Sequence, residues 1–86
     1  MKKIEYNAHK NVVSQQLKKA RIAAGMSQSQ LAARMQTLGV NIDQQMISKI
    51  ENNNRIVTDY ELACFCRILG IEEKVLLKDF YENRYE

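Results

Sequence analysis

Eighty-six residues make room for one small domain and leave none for a separate sensor or catalytic domain. With 45% hydrophobic and 27% charged residues, no proline and three glycines, the composition excludes a disordered tail and favours helices joined by short connections. The net charge of +3 conceals an asymmetry: residues 1–58 hold nine Lys/Arg against Glu5, Asp43 and Glu51, residues 59–86 four against seven acids, and a basic front suits a molecule that orients toward a polyanion.

Residues 1–11 read as a polar N-terminal arm, in which Lys2, Lys3 and Lys10 are mainly solubilising, the alternative being contact with a polyanion, and His9, the sole histidine, faces solvent. From Asn11 or Val12 to Ala24, apolar or small residues at 13, 17, 20 and 24 trace one helical face, and Gly25 ends that helix. Ser27 and Gln30 make a capping box for a second helix over about 28–38, with Leu31, Ala32, Met35 and Leu38 inward and Gly39 closing it. Val40-Asn41-Ile42 is a connection, after which Asp43 caps a third helix over 44–52. Asn52-Asn53-Asn54 signals a turn, because asparagine tolerates the left-handed conformation. Thr58 and Glu61 form a second capping box, opening a fourth helix with Leu62, Phe65, Cys66 and Leu69 inward and Gly70 at its end. Ile71, Val75, Leu76 and Phe80 place a fifth helix from about Glu72 onward. The expected class is all-α, with five helices in a domain over residues 12–78 and an extension of the last helix, or a tail, over 79–86.

No apolar run approaches the roughly 18 residues of a membrane span, and the N-terminus lacks a signal-peptide core, so a cytoplasmic protein is expected. Cys64 and Cys66 point to different faces of a helix and read as packing residues rather than a disulfide or metal pair. With one histidine there is no metal-ligand set and no nucleophile-base arrangement, so no cofactor, metal, small-molecule ligand or enzymatic activity is expected. Tyr81 and Tyr85, one helical turn apart, mark a surface covered by the chain's own core or by a second subunit.

At about 100° per residue, the third helix gathers Gln44, Gln45, Ser48, Lys49 and Asn52 onto one arc and puts Met46, Ile47 and Ile50 opposite. Amide and ammonium groups of this kind match base edges, and a helix fits the major groove. Here the sequence resembles the helix-turn-helix domains of the phage-repressor and Cro type, the XRE family. The matching residues are Leu17-Lys18-Lys19-Ala20-Arg21, Gly25-Met26-Ser27-Gln28-Ser29-Gln30-Leu31-Ala32, Ile47-Ser48-Lys49-Ile50-Glu51-Asn52, and Glu61-Leu62 through Ile68-Leu69-Gly70-Ile71.

The resemblance implies a five-helix, lambda-repressor-like fold that binds double-stranded DNA. It implies base reading by Gln44, Gln45, Ser48 and Lys49, backbone contacts from Ser27, Gln28, Asn52, Asn54 and Arg55, with Gln28 also bracing the third helix, and a buried ion pair between Arg21 and Glu51. Two departures stand out: eight residues, Gln36 to Asp43, join the two helices of the motif where three or four are usual, and Asn53 or Asn54 replaces the usual glycine after the third helix. A transcriptional regulator, chiefly a repressor acting as a homodimer, is the expected function. The alternative is a protein-interaction module, such as an antitoxin or co-regulator with a protein partner.

Overall fold

A computed structural model of the chain describes residues 5–82, so Lys2, Lys3 and Tyr85 lie outside the described residues. Its helices are α1 (Ser14–Ala23), α2 (Gln28–Thr37), α3 (Gln44–Glu51), α4 (Asp59–Leu69), α5 (Glu73–Leu76) and α6 (Lys78–Tyr81), with no strand among the described residues beyond one isolated bridge between Tyr6 and His9. The class is all-α.

Side-chain caps set three of the starts. Ser27 Oγ accepts from the Gln30 amide at 3.0 Å while Gln30 Oε1 accepts from the Ser27 amide at 2.8 Å. Thr58 and Glu61 repeat the reciprocal pair at the start of α4. At α3, Asp43 accepts from the Met46 amide at 2.8 Å, and the Met46 sulfur, where a capping box usually has a carboxylate or amide, accepts from the Asp43 amide.

The boundaries differ from expectation in several places, among them the end of α3 at Glu51 with Asn52 as its C-cap. α1 starts at Ser14, because Asn11 Oδ1 accepts from the Val13 amide at 2.9 Å and turns the chain just before the helix. α2 stops at Thr37. There Gly39, at φ +81°, lets the Gly39 and Val40 amides bond back to Gln36 and Met35, which satisfies the last carbonyls. The expected fifth helix is two short ones, since Leu77 at ψ +6° interrupts the hydrogen-bond ladder. The second piece is held to α1 by Asp79, 2% exposed, whose Oδ1 accepts from Gln16 Nε2 at 3.0 Å.

Leu17, Leu31, Met35, Ile42, Ile47, Ile50, Phe65 and Leu76 are the largest fully buried side chains. Ile42 belongs to the long connection, as does the buried Val40, and Gln36 Nε2 donates to the Ile42 carbonyl at 2.9 Å. The extra residues are therefore an inward-turned piece of core that seats the start of α3. Ile42→Val is expected to cost about 0.5–1.5 kcal/mol, while a change at the adjacent, exposed Asn41 leaves stability in place; urea unfolding of the two variants checks this.

The fold also places the thiols. Burial, reinforced by the charge of Glu73, pushes the Cys66 thiol up to about 11. Cys66 is therefore expected to resist alkylation near neutral pH in the native state, and mass spectrometry after iodoacetamide treatment checks this.

Candidate nucleic-acid interface

Ile47 and Ile50 are fully buried and Met46 half-buried, which fixes the rotation of α3 about its axis. Gln44, Gln45 and Lys49 are consequently exposed and Ser48 half-buried. Asn52, the C-cap of α3, is exposed and folds back, its Nδ2 donating to the Ser48 carbonyl at 2.9 Å.

Behind this face runs a chain of charged and amide groups. Arg21 Nε donates to Glu51 Oε2 at 2.7 Å and Arg21 Nη2 to Glu51 Oε1 at 3.0 Å, a two-pronged pair with side-chain exposures of 10% and 2%. Arg21 Nη1 is taken by the Met26 carbonyl at 2.8 Å. The hydrogen bonds to Glu51 raise the Arg21 pKa in spite of burial. Glu51 Oε1 also accepts from Gln28 Nε2 at 3.0 Å, and Gln28 Oε1 accepts from Gln44 Nε2 at 2.7 Å. Four residues from α1, α2 and α3 are thereby linked in series. Because a carboxylate can only accept, Glu51 fixes which end of the Gln28 amide faces Gln44.

After α3 the chain turns through Asn53 at φ +60°, and the Asn53 and Asn54 amides bond back to the Ile50 and Lys49 carbonyls at 3.0 and 2.7 Å. Asn53 therefore holds the position where the family pattern has glycine. Asn54 is exposed. Arg55 turns to α4: its Nη1 and Nη2 donate to the two Glu61 oxygens at 2.9 Å each, with Glu61 buried at 3%. Burial pushes the Glu61 carboxyl up, but the hydrogen bonds from Arg55 and Thr58 outweigh it and hold the group below its ordinary value of 4.5.

The N-terminal segment also reaches this turn. Asn53 Oδ1 accepts from the Lys10 and Asn11 amides at 2.9 and 3.1 Å, and Asn53 Nδ2 meets His9 Nδ1. Buried Asn11 donates through Nδ2 to the Ile50 and Arg55 carbonyls at 3.0 and 2.9 Å. His9 is half-buried, correcting the expectation of a solvent residue, and residues 9–11 are hydrogen-bonded to the end of α3 and the turn after it. The available signal was Asn11 two residues ahead of Val13, the spacing of an Asx turn; its long-range bonds left no trace in the sequence.

A family model described as Helix-turn-helix matches residues 17–76, from within α1 to the end of α5. The chain belongs to the XRE-type helix-turn-helix family. This is a family of DNA-binding transcription regulators, typically non-enzymatic. No curated protein matches the sequence significantly.

In this helix-turn-helix chain the structure refines the electrostatics of the basic front. Arg21 and Arg55 are engaged with Glu51 and Glu61, whereas Lys10 and Lys49 are exposed, with no ion pair among the described residues. No helix among the described residues is long and apolar enough to cross a membrane.

Arg55 and Thr58 hold the Glu61 carboxyl below its ordinary value. Its contribution to stability is present above the unfolded-state pKa near 4.5 and is lost as pH falls through the lower folded-state value. Relative to Glu61→Gln, the wild type is expected to lose its stability advantage on acidification below that point, as thermal melts of both proteins across the acid range will read.

Proposed function

We propose that the protein binds double-stranded DNA sequence-specifically as a transcriptional repressor, with α3 in the major groove and two copies on a palindromic site. The observation that supports this best is the preset amide of Gln44. One of its N–H groups is committed to Gln28, and Gln28 is held by Glu51. Gln44 therefore keeps one N–H donor and one carbonyl acceptor, the pair that adenine N7 and N6 require. Gln45, Ser48 and Lys49 extend the reading face, with Lys49 suited to guanine O6 and N7.

Phosphate contacts would come from Ser27 and Gln28 at the start of the ten-residue α2, where backbone amides favour an anion, and from Asn52 and Asn54 after α3. Gln28 has one N–H left after its bond to Glu51, directed to a phosphate in this reading. Arg55 serves the backbone contact by bracing the turn through Glu61. One module covers too little DNA to be selective on its own, which motivates a homodimer with half-sites about 34–36 Å apart.

Fluorescence anisotropy with labelled duplexes at about 50 and 200 mM salt tests the DNA-binding reading. Binding at the lower salt that weakens at the higher is expected. Absence of binding at low salt would instead favour a protein-interaction module.

A further inference from the structure

The Asn53 side chain faces the N-terminal segment with both of its ends. Its oxygen takes the Lys10 and Asn11 amides, which fixes its nitrogen as the end toward His9. At its other end the segment closes a two-residue turn, with Asn7 and Ala8 at φ +46° and +67°. The Tyr6 and His9 backbones bond reciprocally at 2.7 and 2.8 Å, and the Tyr6 ring lies 5.4 Å from that of Phe80 in α6. Residues 6–11 are thus fastened at two places, one of them the turn that carries Asn52 and Asn54.

We propose that Asn53 is a positioning residue whose side chain latches this segment onto the turn after α3, stiffening the turn and delivering Lys10 as a further contact to a DNA phosphate. This rests on the DNA-binding reading above. Lys10 is exposed, its backbone amide is 2.9 Å from Asn53 Oδ1, and its ammonium has no ion pair among the described residues. The backbone conformation of Asn53 and its side chain do separate things, and that makes the latch testable. The left-handed turn at φ +60° is a property of the main chain that glycine reproduces; the bonds to Lys10 and Asn11 belong to the amide alone.

Asn53→Gly therefore keeps the cap and removes the latch. Expected are a cooperative melt lowered by no more than a few degrees, since glycine's ease at positive φ offsets part of the lost hydrogen bonding, and exchange of the Lys10 and Asn11 amides about tenfold faster or more. DNA affinity falls about tenfold as the turn must be ordered on binding. The slope of log K against log salt becomes shallower by about 0.9 per protomer as the Lys10 phosphate contact is lost. Asn53→Asp, which keeps the accepting oxygen, restores amide protection, and Lys10→Gln reproduces the slope change without faster exchange. Unchanged exchange in Asn53→Gly, or faster exchange with wild-type affinity and slope, would overturn the latch. Failure of the wild-type protein to bind any DNA would overturn the parent reading, and the role of Lys10 with it.

Discussion

Arg21→Met is expected to lower the melting temperature by at least about 12 °C, the consequence of about 3–5 kcal/mol lost when one partner of a buried ion pair is removed. The cost lies in what remains. Glu51, at 2% side-chain exposure, loses both of its bonds from Arg21, leaving Gln28 as its remaining side-chain donor. Replacing both partners, as in Arg21→Met with Glu51→Leu, is expected to recover most of that loss, because well-packed apolar groups carry no desolvation cost. The double variant nevertheless leaves Gln28 without its acceptor, so it separates fold stability from the setting of the Gln28 and Gln44 amides. Circular dichroism melts of the three proteins measure the effect. A melting temperature for Arg21→Met equal to that of the wild type would contradict it.

The second large effect concerns recognition. Gln45→Ala combined with Lys49→Ala is expected to remove about 2–6 kcal/mol of discrimination between a preferred and an unrelated duplex, at about 1–3 kcal/mol for each well-placed base contact. Both side chains are exposed, so the fold is left intact. Gln28→Ala is expected to behave differently, weakening preferred and unrelated duplexes by a similar factor, since its free N–H is assigned to phosphate and phosphate contacts carry little sequence information. Gln28→Ala also releases Gln44, so a modest loss of preference for adenine at one position accompanies the uniform loss. Competition binding with two duplexes reads both variants. Retention of full discrimination by the double variant would remove Gln45 and Lys49 from the reading face.

What the sequence made legible follows from how local the physics is. The capping boxes at Ser27 and Thr58, the cap at Asp43 and the buried side of α3 all depend on residues within four positions of one another, and periodicity exposes them. The Arg55–Glu61 pair is also close in sequence, yet periodicity says nothing about loop side chains, and Arg55 read only as a backbone contact. The resemblance gave Gln28 as a brace of the third helix but not its partner Gln44, 16 residues away, and the bonds from Asn11 to the end of α3 span about 40 residues. Such contacts exist only after the helices have docked. The long connection was legible as a departure in length, but not as core, because Val40 and Ile42 turn inward from irregular backbone where no helical or strand period applies. The break at Leu77 has no glycine or proline to announce it.

The proposal that α3 reads sequence is most directly tested by selecting bound duplexes from a pool of randomised DNA. Enrichment of a single motif is predicted, with an adenine in each of two inverted half-sites about one helical turn apart. Recovery of duplexes no more alike than the starting pool, at a salt concentration where the protein binds, would contradict sequence-specific recognition by this face.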